Sequence, residues 1–266
     1  MSDTEKTAYA EDTFDWDEGW DDDPVTSSAD APLGQDGALQ TNVDIVFAID
    51  VTGSMAPCLK NSTALAADLL PRVREALGAK KRRVDQMRVR VVAFRDYYCD
   101  DVPMEESPFY TLPGQEKEFH DFLDGLTAMG GGDAPENALE ALHKAITSDW
   151  VQTGAKRRHI VVLMTDTTPH PLDHPKRAQA EREPNEAKRY PADMPRNLTE
   201  LMLEWDDGQG KLNPNARRMA IFAPEDEVWR GIDNTWELAT LMPCRAGEGL
   251  AETDMDVVVR WIADSI

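Results

Sequence analysis

The stretch Phe47 to Met55, FAIDVTGSM, sets an aspartate and two hydroxyls at alternate positions, Asp50, Thr52 and Ser54. Carboxylate and hydroxyl oxygens suit a hard cation such as Mg²⁺. The same residue types cap helices, because Ser, Thr and Asp satisfy free N–H groups at a helix start. On this stretch alone both roles stay open. Two further segments carry matching chemistry. GGGDAPEN, 130–137, offers Asp133 and Glu136 beside three glycines that permit tight turns, and LMTDTTPH, 163–170, brings Asp166.

The elements that must position these residues follow from periodicity. VDIVFAI, 43–49, is a short apolar run rich in β-branched residues, which reads as a buried strand. MRVRVVAF (87–94), RHIVVLMT (158–165) and RRMAIFA (217–223) read the same way. Helical spacing runs from Met55 to Leu77, with a kink expected at Pro71 and a stop at Gly78. Further helices are expected over 116–126, from Pro135 to about Ser148, at about Pro195–Trp205, near Trp236–Leu241 and from Asp254 to Ala263. Strands alternating with helices imply an α/β fold, a Rossmann-like, doubly wound and mostly parallel sheet with helices on both faces. In such sheets ligands sit beyond the carboxyl ends of the strands. Asp50, the Arg95-Asp96 pair and Asp166 each follow a strand, so all fall on that edge. Helix caps do not require acids and hydroxyls from separate strands to share an edge; a common metal site does.

The pattern Asp50-Val51-Thr52-Gly53-Ser54 resembles the metal-ion-dependent adhesion site (MIDAS) of von Willebrand factor A-type (VWA) domains. The resemblance spans about residues 42–266 and is nearest to the integrin β-type and intracellular α-kinase-associated members. It implies that Asp133-Ala134-Pro135-Glu136 supplies the acid completing the site and that Asp166 is its last ligand. FRDYYCD (94–100) and TDTTPH through His170 resemble the neighbouring loops of that group. Ala56, Pro57 and Cys58 stand where an adjacent calcium site would need acids, so no such site is expected. Between Asp133 and Glu136, a helix opened by Pro135 would put Glu136 in its first turn and favours it as the ligand. The implied cofactor is Mg²⁺, with Mn²⁺ or Ca²⁺ as alternatives. The implied function is a metal-dependent protein-interaction module, a scaffold or adaptor whose partner supplies an acidic ligand to the ion. The resemblance sets it among kinases, phosphatases or AAA-type ATPases.

The rival reading is a metal-dependent hydrolase or phosphatase-like enzyme. The chain lacks G-x-x-x-x-G-K-[ST] and G-x-S-x-G. An aspartyl phosphatase would need a second acid two residues after Asp50, where Thr52 stands, so no enzyme activity is expected. His170 and His174 have the i, i+4 spacing of zinc ligands, but Pro171 and Pro175 break the helix that spacing needs. They read as loop histidines. His120 and His143 read as surface or half-buried.

Composition bounds the partners. Against 28 Lys and Arg stand 50 Asp and Glu, a net charge of −22, which repels nucleic acid. Residues 1–40 carry twelve of the acids and one base, Lys6, and so supply half of the net charge. Residues 1–41 read as a disordered acidic tail whose Phe14, Trp16 and Trp20 could anchor it on a partner. A VWA domain is expected over 42–266, with a proline-rich insertion at about 167–216. Cys58, Cys99 and Cys244 read as free thiols of a reducing compartment. With no apolar run long enough to span a bilayer, a cytoplasmic protein without membrane contact is expected.

Overall fold

Strand β1, Thr41–Asp50, is buried along nearly its whole length because it has a sheet neighbour on each side and helices above and below. A computed structural model describes residues 40–57, 59, 71–73, 75–78, 83–132, 134–208, 210–245 and 255–266. All of these lie within one compact unit, Ala31–Ile266. Residues 1–39 of the expected tail, Cys58 and Asp133 fall outside the described residues; Thr41, expected to end the tail, instead opens β1.

After β1 come a 3₁₀ turn at Gly53–Met55, β2 (Gln86–Phe94), β3 (Met104–Glu106), β4 (Tyr110–Leu112), α1 (Glu116–Gly125) and α2 (Ala138–Ile146). Then follow β5 (Lys156–Met164), α3 (Arg177–Ala180), α4 (Leu198–Asp207), β6 (Arg217–Pro224), α5 (Glu227–Thr235), β7 (Ala239–Cys244) and α6 (Met255–Ser265). Between 55 and 78 the chain is helical at 56–57, 59, 71–73 and 75–78. The sheet order is β3-β2-β1-β5-β6-β7, with β4 also on β2. Strands β2, β1, β5, β6 and β7 run parallel, and β3 and β4 are antiparallel to β2.

Alternate residues of β1 enter opposite cores. Val43, Ile45, Phe47 and Ile49 pack with Phe119 and Leu123 of α1 and with Val258 and Ile262 of α6. Val46 and Ala48 pack with Leu139 and Leu142 of α2, Trp205 of α4 and Trp229 of α5. Both faces are therefore covered, as the continuous apolar runs predict. The chain turns from β1 to β2 on one side and later enters β5 on the other, so the crevice of the doubly wound fold opens above β1 and β5. A buried ion pair ties down the opposite end of the sheet: Arg88 donates to both oxygens of Asp44, at 2.8 and 2.5 Å, and the Val151 N–H adds a third bond at 2.6 Å.

Three expectations need correction. The span Trp236–Leu241 is not a helix. Helix α5 starts earlier, where the Asp226 side chain accepts from Trp229 N, and it ends at Thr235. Leu238 then takes a left-handed conformation (φ 62°), and 239–244 pair with β6 as the edge strand. Nor does Pro135 open α2. Glu136 bridges to Pro169 in strand fashion, and the helix begins at Ala138. His143 is also more buried than expected, with Nδ1 2.8 Å from Glu204 of α4.

The outer side of β7 has few free donors. Ala239 N–H reaches Trp236 O at 3.4 Å, Leu241 N–H is taken by Asp233 Oδ1 at 2.7 Å, and Pro243 has no N–H. No helix among the described residues is long and apolar enough to cross a membrane.

Candidate metal centre

The carboxyl end of β1 delivers Asp50 into the crevice with no solvent exposure. Its Oδ1 accepts from Thr52 N at 2.9 Å and from Thr52 Oγ1 at 2.6 Å. The hydroxyls continue in a chain: Thr52 Oγ1 lies 3.2 Å from Ser54 Oγ, which donates to Asp166 Oδ1 at 3.2 Å. Thr52 precedes the 3₁₀ turn, yet its side chain makes no capping bond. Of the two roles open from the sequence, capping by Thr52 is thus excluded, and the structure joins Asp50, Thr52, Ser54 and Asp166 into one cluster.

Parallel register explains the meeting of β1 with β5. Ile49 pairs with Met164, so the next residues, Asp50 and Thr165, stand side by side. Thr165 Oγ1 donates to Asp50 Oδ2 at 2.7 Å. Sequence reading missed Thr165; only the β1–β5 pairing reveals it.

The middle loop closes the third side. Gly53 N–H donates to Gly130 O at 3.1 Å. Gly131 has φ +72°, and a Cβ there would lie 2.6 Å from Glu136 Oε1 and 2.8 Å from Thr52 Cβ. Only glycine lets the loop come this close. Arg95, 3% exposed, holds the surrounding loops by donating to the carbonyls of Thr127 (2.9 Å), Met129 (3.2 Å) and Val102 (2.9 Å) and to Glu105 (2.8 Å).

Electrostatically the crevice is short of positive charge. Burial, with the charges of Asp50, Asp96, Asp100 and Asp166, pushes Glu136 up to about 9. Burial likewise raises Asp50 to about 6 against the pull of its hydrogen bonds, and raises Asp166. Asp96 behaves differently. Burial would raise it, but His170, Tyr98 N–H and Cys99 together hold it below its usual range. Two buried oxygens, Glu136 Oε2 and Asp166 Oδ2, have no hydrogen-bond partner.

These observations test the fit of a divalent cation. An all-oxygen set of carboxylates and hydroxyls suits Mg²⁺, Mn²⁺ or Ca²⁺ and not a soft metal. Among the described residues no three His, Cys, Asp or Glu side chains stand close enough to hold an ion by themselves, so one here would draw on the hydroxyls as well. Positive charge would satisfy the two bare oxygens and relieve the raised carboxyls, so the residues present fit such an ion.

The sequence profile of the von Willebrand factor type A domain matches residues 45–168, the span from β1 through the Asp166 loop. Over that span the chain is similar to a VWA domain. Among solved structures, the pilus adhesin SpaC of Lactobacillus rhamnosus GG shares 12% identity at a TM-score of 0.50, over 85% of this chain and 31% of that one. A von Willebrand factor type A protein from Catenulispora acidiphila shares 14% identity at 0.44, over 84% and 43%. Proximal thread matrix protein 1 of the mussel byssus shares 12% at 0.43, over 84% and 46%. The chain spans less than half the length of each, and likeness at this identity concerns the fold alone. No curated protein matches. The VWA domain is in general a protein-interaction or adhesion module.

Proposed function

We propose that this VWA domain is a metal-dependent protein-binding module of MIDAS type. Asp50, Thr52, Ser54 and Asp166 would hold one divalent cation, Mg²⁺ first among the candidates, with Glu136 or Asp133 completing the set from the middle loop. The single observation that carries this reading is the pair of bare buried oxygens on Glu136 and Asp166, which border the hydroxyl chain. When bound, the cation supplies a positive charge that a partner's Asp or Glu can meet. This chain's own residues do the rest. Thr165 fixes Asp50, Ser54 orients Asp166, and Gly131 admits the loop.

Binding without bond-making accords with the side chains present. The Ser54 hydroxyl is taken up by the Asp166 carboxylate within the cluster, and desolvation, first among its causes, pushes the Cys99 thiol up to about 12. Cys99 is a free thiol, and a reducing, cytoplasmic setting belongs to the same proposal. The partner class, a kinase, phosphatase or AAA-type ATPase, rests on the family resemblance.

The test is thermal unfolding of the full chain with and without Mg²⁺. A cation that binds the folded state raises the melting temperature by mass action. The shift is expected in the wild type and absent in Asp50→Ala; an equal shift in both would overturn the site. Capture experiments in Mg²⁺ against chelator then identify the partner.

A further inference from the structure

The segment between β5 and β6 builds a small core of its own. Tyr190, 1% exposed, packs edge-on against Tyr97 with ring centres 5.3 Å apart and lies near-parallel to Tyr98 at 6.2 Å. The Arg177 guanidinium stands 4.8 Å from the Tyr190 ring centre. It donates to the carbonyls of Leu172 (2.9 Å), Met194 (2.9 Å) and Pro195 (2.6 Å), drawing the two ends of the segment together.

This closed unit meets α2 and its leading residues at two levels. At the first, the backbone of Glu136 pairs with the start of the segment: Glu136 N–H donates to Thr168 O at 3.3 Å and His170 N–H to Glu136 O at 2.7 Å. One helical turn further on, the Tyr190 hydroxyl donates to Glu140 Oε1 at 2.8 Å. Glu140 has no exposed surface. A buried carboxyl and a buried phenol are each costly without a partner; here the phenol satisfies Glu140 Oε1, while Glu140 Oε2 is left bare. A half-open surface pocket of about 190 Å³ lies beside this unit, between Tyr97–Asp100 and the stretch from Lys176 to Lys188.

We propose that Tyr190 and Glu140 are positioning residues: their hydrogen bond seats the 168–195 part of the segment so that its pairing with the Glu136 backbone is held in place. The link to metal binding rests on the reading under Proposed function; the seating itself does not. Without the Tyr190 hydroxyl, both oxygens of Glu140 are bare in the core, and the 168–195 part lifts as a unit, releasing the His170 N–H.

The experiment is hydrogen exchange on the full chain in chelator, comparing wild type with Tyr190→Phe, Glu140→Ala and Glu140→Gln. Tyr190→Phe keeps the ring and its packing. The His170 amide is expected to exchange about ten- to a hundredfold faster in Tyr190→Phe and Glu140→Ala, the range for losing a hydrogen bond to a charged group. The amides of β1 and β5 should keep their protection. Glu140→Gln retains an acceptor oxygen and should stay near wild type. Unchanged His170 exchange in Tyr190→Phe would overturn the proposal. So would a uniform rise that includes β1 and β5, the signature of a residue that supports only global stability. Mg²⁺ titration of the same variants is a separate arm: no binding by the wild type would count against the metal reading alone.

Discussion

Replacing Glu136 with glutamine should stabilise the protein in the absence of metal, although it removes a residue of the candidate site. Glu136 is 4% exposed, and burial with four neighbouring carboxylates raises it from 4.5 to about 9. A carboxyl raised in the folded state contributes its full stability below its unfolded value and loses it as pH climbs through the folded value. Neutral pH lies about 2.5 units above 4.5, and each unit is worth about 1.36 kcal/mol, so the frustration at pH 7 is on the order of 3 kcal/mol. Glutamine never ionises and escapes it. Urea unfolding in chelator should therefore find Glu136→Gln more stable than wild type by up to roughly 3 kcal/mol at pH 7, or roughly 6–12 °C in melting temperature for a domain of this size. The two should converge at pH 4, where the wild-type carboxyl is protonated in both states. In Mg²⁺ the order should narrow or invert, since an ionised Glu136 favours cation binding. A variant destabilised equally at pH 4 and pH 7 would refute the electrostatic account, because a packing defect does not depend on pH.

Three further outcomes are expected. Glu136→Gln should weaken Mg²⁺ binding in calorimetry more than Asp133→Asn, and the reverse order would give the middle-loop role to Asp133. Gly131→Ala should cost about 1–3 kcal/mol by urea unfolding, from its left-handed backbone and the crowding of Glu136 and Thr52, and should also lower the Mg²⁺-induced melting shift. At the opposite end of the sheet, Arg88→Ala strands the buried Asp44 and should cost about 3–5 kcal/mol while leaving the Mg²⁺ shift intact; a lost shift would mean that the two ends are coupled.

Sequence alone made the interior strands legible because β1, β2, β5 and β6 each carry an apolar stretch that is covered on both faces, FAI, VVAF, IVVLM and MAIFA. The edge strand β7 is half-exposed, and WELATL before its end has the spacing of a helix; pairing with β6, a long-range fact, overrides that local signal. Strands β3 and β4, three residues each, are too short for any period to register. In the site, Asp50, Thr52 and Ser54 were legible because their spacing is local. Thr165 was not, since its value lies in register with a strand more than a hundred residues away. Glu136 was chosen on the premise of a proline-led helix, whereas a strand-like bridge to Pro169 in fact sets its place.

The spent donors along β7 govern what kind of assembly this sheet permits. An open strand edge is a template on which any extended chain, a neighbour's or its own unfolded copy, can crystallise into further sheet. With Leu241 N–H claimed by Asp233, Ala239 N–H by Trp236 and Pro243 offering none, recruits arriving at that border find no donor to bond. Growth by strand addition is thereby disfavoured at β7. A partner met at the crevice proposed above would instead be chosen by side chains and charge and not by the indiscriminate pairing of backbones.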